Sequence, residues 1–181
     1  MNGAFVNKRN QGIGIVALVA CFGISAAPLQ ARAAGLDAVS AYAGTWKTHI
    51  VHFKTMYSKA RTETTILRND CWRSAQFYAC DQLVNGVSSA LVVYTYDAKN
   101  NRYRTRIVTP NGEAPGGGTL LIEGKRWTYP WQDKDGSKIV YIRIVNTFVD
   151  PDTIRFRQEY SYDRTHWTIT ARGTEHRISA R

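Results

Sequence analysis

An alternation of apolar and polar residues with a period of two runs from Gly44 almost to the end of the sequence. Successive side chains of a β-strand point to opposite faces, so this period is typical of strands that bury one face. The alternating segments are rich in β-branched and aromatic residues, and turn-forming stretches such as VNGV and DKDG separate them. We therefore expect about ten short strands, preceded by a short helical or 3-10 turn over residues 36–43.

The closely spaced turns indicate that each strand pairs with its neighbour in sequence in an antiparallel meander. An open sheet of about ten strands would leave two long edges ready to aggregate, and closing the sheet removes both. The sequence thus predicts an all-β fold, an antiparallel up-and-down barrel, with a two-sheet sandwich as the alternative. A barrel of this size is either filled by side chains or holds one small ligand.

The first 33 residues resemble an export signal. Lys8 and Arg9 precede an apolar core, Pro28 ends that core, and Ala-Arg-Ala at 31–33 forms a cleavage site. The apolar core is too short, and flanked by the wrong residues, to remain as a membrane anchor. We therefore expect residues 1–33 to be removed.

Cleavage there would leave a single domain over residues 34–181 in the periplasm or outside the cell. The alternative is an outer-membrane lipoprotein, because the LVAC that ends at Cys21 resembles a lipidation site. The residues after Cys21 stay apolar, whereas a lipid-tethered protein usually has a polar linker there. This observation favours soluble export.

The whole chain has a net charge of +10, and loss of three basic residues with the signal leaves +7. These charges are spread along the strands, and no basic helix or aromatic-basic RNA motif is visible. Nucleic acid is therefore not an expected partner. Association with an anionic envelope surface remains open.

Two cysteines, Cys71 and Cys80, remain after the signal is removed. Their spacing does not suit a thioredoxin-like redox motif, and no second cysteine or histidine pair follows at zinc spacing. In an oxidising compartment the simplest expectation is one disulfide between them.

The stretch YAGTWK after the helical turn resembles the opening of lipocalins and fatty-acid-binding proteins, the calycin group. The C-terminal segment 155–177 is similar to the ending of a bacterial family of lipocalin-like domains of unknown function. It matches that family's S-x-D-x-x-x-W pattern from Ser161 to Trp167, although Arg164 replaces the usual glycine. The resemblance implies that Trp46 and Arg177 close one end of the barrel by cation–π contact.

Catalytic and metal-binding patterns are missing from the sequence: it has no G-x-S-x-G, P-loop or H-E-x-x-H motif. His49 and His52 lie three apart on one strand, so they face opposite sides and cannot share a metal. We therefore predict no catalytic residue, no metal site and no cofactor. The acid–base candidates Glu63, Glu159 and Glu175 all lie within predicted strands.

Alternation within the segment 154–160 leaves two orientations open. In the favoured one, Arg155, Arg157 and Glu159 face solvent, and the alternating partners point into the barrel. The reverse would place two arginines and a glutamate inside, where they could grip an anion. The segment RWTYPWQ also places three aromatic residues on one face. The candidate ligand-binding residues are therefore Trp127, Tyr129, Trp131, Phe156, Gln158 and Tyr160.

These features favour an exported, non-catalytic barrel that binds a small hydrophobic or amphiphilic molecule. A small isomerase, cyclase or hydrolase with Glu159 as its general base is one alternative. A filled barrel with a structural role in the envelope is another, because fold alone does not decide function.

Overall fold

A computed structural model describes residues 35–112 and 117–180, and it forms one closed barrel of ten antiparallel strands. Each strand pairs with its neighbours in sequence, and the last pairs with the first. A 3-10 helix, Gly35–Tyr42, precedes the barrel. The strands are β1 (Gly44–His52), β2 (Arg61–Arg73), β3 (Tyr78–Val84), β4 (Val87–Asp97), β5 (Arg102–Val108), β6 (Gly117–Glu123), β7 (Arg126–Asp135), β8 (Lys138–Asp150), β9 (Thr153–Ser161) and β10 (Thr168–Ser179).

The predicted antiparallel up-and-down barrel and the short helix before it are both confirmed. A sandwich is excluded because β1 pairs with β10 along most of its length, from Thr45 to His52. The predicted export segment, residues 1–33, lies outside the described residues. So does the middle of the predicted loop 110–118.

The hairpin between β3 and β4 shows how local sequence determines register. Asn85 and Gly86 both have positive φ angles, 51° and 81°. This combination is typical of the type I′ turn, whose twist matches that of the two strands it joins. The Asn-Gly pair thereby fixes the pairing of Val84 with Val87 next to it.

The loop between β9 and β10 contains the S-x-D-x-x-x-W segment. The Asp163 carboxylate accepts hydrogen bonds from the backbone N–H groups of Thr165 and His166, each 2.8 Å long. Arg164 has a φ of 64°, in the left-handed region, at the position where the resembling family carries glycine. Its guanidinium group lies 4.1 Å from the ring centre of Tyr141. This contact holds the arginine in a backbone conformation that glycine adopts more easily.

The predicted disulfide is present, because Cys71 on β2 lies directly opposite Cys80 on β3 and the two sulfurs are bonded. Both cysteines are buried. A structural disulfide indicates a location outside the reducing cytoplasm. Among residues 35–112 and 117–180 no helix is long and apolar enough to cross a membrane.

Candidate ligand-binding cavity

The barrel encloses a cavity of about 680 Å³. All ten strands contribute to its wall, as does Tyr42 of the N-terminal helix. Ligand sites of small-molecule binding proteins have volumes of this order and are mostly apolar. The aliphatic and phenylalanine side chains of the wall include Ile50, Leu67, Val84, Val92, Ile144 and Phe156.

Two residues mark where the cavity meets solvent. Ile107 and Trp131 line it and yet expose 37% and 39% of their surface. Glu63 also lines this end, and its carboxylate lies 2.8 Å from Nε2 of His52 and 3.3 Å from Nε of Arg61. The hydrogen bond from His52 lowers the pKa of Glu63. The mouth thus carries a carboxylate whose charge is already balanced.

Glu175 on β10 brings a second carboxyl group into the cavity, where it is only 5% exposed. The Tyr42 hydroxyl donates to it, with its oxygen 2.9 and 3.2 Å from the two carboxylate oxygens. Burial raises the pKa of Glu175 to about 7, and the hydrogen bond from Tyr42 opposes part of that rise. Glu175 is therefore a buried carboxyl group that exchanges its proton near neutral pH.

Two further tyrosines extend the polar part of the wall. The side chains of Tyr94 and Tyr129 both line the cavity, and each affects the pKa of the other. Burial raises the pKa of Tyr94 to about 12 and also raises that of Tyr129. Both side chains therefore stay neutral at physiological pH.

Two buried polar atoms in the cavity wall have no hydrogen-bond partner among the described residues: Oγ1 of Thr48 and Oδ1 of Asn146. Thr48 on β1 lies directly opposite Glu175 on β10. Asn146 on β8 lies opposite Phe156 on β9. A buried polar atom without a partner is costly, and neighbouring atoms cover both of these oxygens, so a bound molecule could donate to them only after a rotation of the side chain.

Three of the six predicted ligand-binding residues, Tyr129, Trp131 and Phe156, line the cavity. Trp127 is buried instead against Phe148, with ring centres 4.9 Å apart.

The other two predicted residues are on β9. Tyr160 packs edge-on against Tyr57 of the β1–β2 loop, with ring centres 4.8 Å apart. Gln158 accepts a hydrogen bond from Thr170 through its backbone oxygen. The structure therefore brings one half of the predicted set to the cavity and not the other half.

Glu159, the suspected general base, lies outside the barrel, which removes it from any chemistry in the cavity. Its carboxylate accepts hydrogen bonds from Nε of Arg143 at 2.7 Å and from Nε of Arg157 at 2.5 Å. Arg143 in turn stacks on Trp167, 3.6 Å from the ring centre. The favoured orientation of β9 is the observed one, since Phe156 points inward. The expectation of a solvated carboxylate was wrong, because the two arginines and the tryptophan leave Glu159 only 5% exposed.

Trp46 lies at the end of the barrel next to the N-terminal helix. The ring is fully buried, its Nε1 donates to the backbone oxygen of Tyr42 at 3.1 Å, and the Arg177 guanidinium lies 4.1 Å from its ring centre. Arg177 also donates to the backbone oxygens of Ala41 and Ala43 at the end of that helix. These contacts are the arrangement that the resemblance implies, and the closing role that we assign to them is tested below.

The sequence analysis named Glu175 as an acid–base candidate but did not place it in the cavity, although the sequence contains a feature that indicates this position. It lies two positions before Arg177 on the same strand, so the two residues share a face. Once Arg177 is placed over Trp46 inside the barrel, the same parity points Glu175 inward. Within residues 35–112 and 117–180, no group of three His, Cys, Asp or Glu side chains is arranged to hold a metal ion.

No protein-family model matches the chain, and no curated protein sequence matches it. Solved structures similar to this chain include two of low sequence identity. The S-type phycobiliprotein lyase CpeS from Guillardia theta has a TM-score of 0.50 at 8% identity, with 81% of this chain and 94% of that chain covered. Rv2717c from M. tuberculosis has a TM-score of 0.48 at 11% identity, with 80% and 97% covered.

At this level of identity, the likeness to the lyase concerns the fold. The comparisons place the ten-stranded antiparallel barrel among calycin-like folds and identify no sequence family.

Proposed function

We propose that this chain is an exported, non-catalytic barrel that holds one small, largely apolar molecule in its interior. The cavity of about 680 Å³ is the observation that carries the proposal. Tyr129, Trp131 and Phe156 are the proposed aromatic contacts. The disulfide supports export after removal of residues 1–33, and the calycin-like fold supports the lipocalin-like family assignment.

The size of the cavity favours this function over a filled barrel with a purely structural role. Side chains of a filled barrel interdigitate and leave few voids larger than a water molecule. Here the apolar wall faces a space large enough for a molecule of ordinary metabolite size. Because empty apolar space lacks dispersion contacts, occupation by a matching molecule would stabilise the fold.

The direct test is to measure the mass of the protein with and without its bound molecule. The full chain is expressed in an exporting host, purified without denaturant, and weighed by native and denaturing mass spectrometry. We expect a reproducible excess mass in the native spectrum that denaturation releases. A bare chain, combined with no change in melting temperature against a panel of lipids and metabolites, would contradict the proposal.

A pair of substitutions tests whether the bound molecule lies in the cavity. Ile107→Trp adds bulk at the mouth, whereas Ile169→Trp adds the same bulk at a residue of similar exposure that does not line the cavity. The two side chains are 37% and 38% exposed, so the effects on folding are matched. We expect the excess mass to fall with Ile107→Trp and to persist with Ile169→Trp. Equal retention by both variants would place the molecule elsewhere.

A small enzyme is the second candidate, and Glu175 is the observation in its favour. A carboxyl group in an apolar cavity with a pKa of about 7 is suited to general acid–base catalysis at neutral pH. The released molecule is incubated in D₂O with fresh protein and with Glu175→Gln, and then analysed again. Deuterium uptake or conversion that depends on Glu175 would support the enzyme. An unchanged molecule supports the binding function.

A further inference from the structure

One polar group that lines the cavity, the carboxylate of Glu175, can only accept hydrogen bonds when it is ionised. The Glu175 carboxylate has more acceptor capacity than the single Tyr42 hydroxyl uses. Oγ1 of Thr48, directly across the strand pair from Glu175, is buried without a partner, and so is Oδ1 of Asn146. The carboxylate is therefore available to a donor on a bound molecule, and the two covered oxygens become available once their side chains rotate.

Charge in the cavity has the opposite sign to the charge of the protein. The chain has a net charge of +10, yet the described residues that line the cavity include two glutamates and neither lysine nor arginine. Glu63 at the mouth is balanced by His52 and Arg61. Glu175 forms no ion pair with any residue in the described ranges. A cation on the ligand can supply the counter-ion that this buried carboxylate lacks.

We propose that the molecule held by the barrel is compact and largely apolar and carries a protonated basic nitrogen that ion-pairs with Glu175. Its remaining N–H groups would donate to Thr48 and Asn146, and its apolar part would lie against Phe156 and the aliphatic wall. This inference rests on the proposed binding function and specifies the chemistry of its ligand.

The protonation of Glu175 adds a second signature of such a ligand. Two titratable groups act on it, Tyr42 from the helix and Tyr129 from β7, and both remain neutral because burial raises their pKa values. With a pKa of about 7, the carboxyl group is about half protonated at pH 7 in the empty cavity. A bound cation favours the carboxylate, so an amine should expel a proton from Glu175 when it binds, whereas an alcohol should not.

The test uses three probes with the same apolar cage: adamantylamine, adamantanol and adamantanecarboxylic acid. Their affinities for the full chain from an exporting host are measured at neutral pH by isothermal titration calorimetry. The titrations are repeated in two buffers of different ionisation enthalpy, which reports the protons released. Glu175→Gln keeps an acceptor for Tyr42 and removes the charge, and Glu123→Gln is the control, because Glu123 is exposed and does not line the cavity. A thermal melt of each variant verifies that it is folded.

We expect the amine to bind about tenfold or more tightly than the alcohol, with proton release, and the acid to bind most weakly. This preference should disappear in Glu175→Gln and persist in Glu123→Gln. Equal affinities, or tighter binding of the acid, would overturn the proposal. A preference that survives in Glu175→Gln would also overturn it.

Failure of the proposed binding function gives a different pattern. If the native mass experiment releases a bound molecule but the amine has no advantage, the barrel binds a ligand of another chemistry. If none of the three probes binds, the amine proposal is overturned. The native mass experiment then tests the binding function separately, by whether a bound molecule is released.

Discussion

The hydroxyl group of Tyr42 donates a hydrogen bond to the carboxylate of Glu175, 2.9 Å away, and so joins the N-terminal helix to the last strand. The backbone oxygen of Tyr42 meanwhile accepts from Nε1 of Trp46 and from the Asn69 side chain, each at 3.1 Å. One residue thus contributes both to the closed end of the barrel and to the polar part of the cavity. A substitution at either place should therefore affect the other.

Replacing Glu175 with glutamine should stabilise the protein at neutral and alkaline pH. The carboxyl group titrates at its ordinary pKa of 4.5 in the unfolded chain and at about 7 in the folded protein. The folded state binds the proton more tightly, so stability is highest below the lower pKa and falls as the pH rises through the upper one. The neutral amide of the variant does not lose stability in this way. Above pH 7 the free energy of unfolding of Glu175→Gln should therefore exceed that of the unaltered protein by about 3 kcal/mol.

Urea unfolding of both proteins at about pH 5 and about pH 8 measures this effect. The difference in unfolding free energy between Glu175→Gln and the unaltered chain should grow with pH. Equal slopes of stability against pH for the two proteins would contradict a carboxyl group with a raised pKa.

Removing the Tyr42 hydroxyl should raise the pKa of Glu175 further. That hydrogen bond favours the charged carboxylate and is the one influence that lowers the pKa against the effect of burial. The substitution Tyr42→Phe keeps the ring and removes the donor. Carbon-13 NMR of the glutamate side chains should show the midpoint of the Glu175 titration above its value in the unaltered protein. Tyr57→Phe, which removes an exposed hydroxyl far from Glu175, is the control, and an unchanged midpoint in Tyr42→Phe would refute the expectation.

Sequence periodicity was sufficient to predict the barrel because one-sided burial acts on every strand. The orientation of β9 followed from the same reasoning, since the alternative would have buried Arg155 and Arg157 inside. The Asn-Gly turn at 85–86 and the disulfide follow equally local rules. These parts of the fold depend on the chemistry of neighbouring residues, which the sequence displays.

The cavity depends on relationships between distant segments, which periodicity does not contain. Tyr42 and Glu175 are separated by 133 positions, and their contact requires the helix to pack beneath the barrel. The burial of Glu159 depends on Arg143 and Trp167, which belong to other segments. Period two gives the face of a residue, but its depth and its neighbours come from closure of the sheet.

The disulfide should stabilise the barrel by about 2–3 kcal/mol, because it closes a short loop in the unfolded chain. Cys71 and Cys80 lie opposite each other and nine positions apart, so the bond links β2 and β3 near the connection between them. Urea unfolding with and without a reductant compares the two states without changing a side chain. The double substitution Cys71→Ala and Cys80→Ala is the control, because its unfolding midpoint should not change when reductant is added. Identical midpoints for the oxidised and the reduced protein would contradict the stabilising role.

Replacing Trp46 with alanine should lower the free energy of unfolding by about 3–5 kcal/mol, because the ring is fully buried and would leave a cavity. It would also leave the Arg177 guanidinium without its stacking surface. Trp72→Ala is the matched control, since that side chain is 43% exposed and should cost far less. Urea unfolding measures both. If the free energy of unfolding falls no further in Trp46→Ala than in Trp72→Ala, Trp46 does not have the closing role.

Gly44, which begins the G-x-W segment, should be intolerant of a side chain because the backbone at the end of β10 approaches it closely. Its φ is 110°, and an added Cβ atom would lie 2.7 Å from the Ser179 backbone oxygen and 3.0 Å from Nη1 of Arg177. Gly86 also has a positive φ, 81°, but an added Cβ there would meet open space, so Gly86→Ala measures the backbone strain alone, about 1–2 kcal/mol. Gly44→Ala should lower the unfolding free energy by more than Gly86→Ala, since it must also displace the strand end or the guanidinium. Equal losses in the two variants would mean that the close approach of Ser179 and Arg177 does not require glycine at this position.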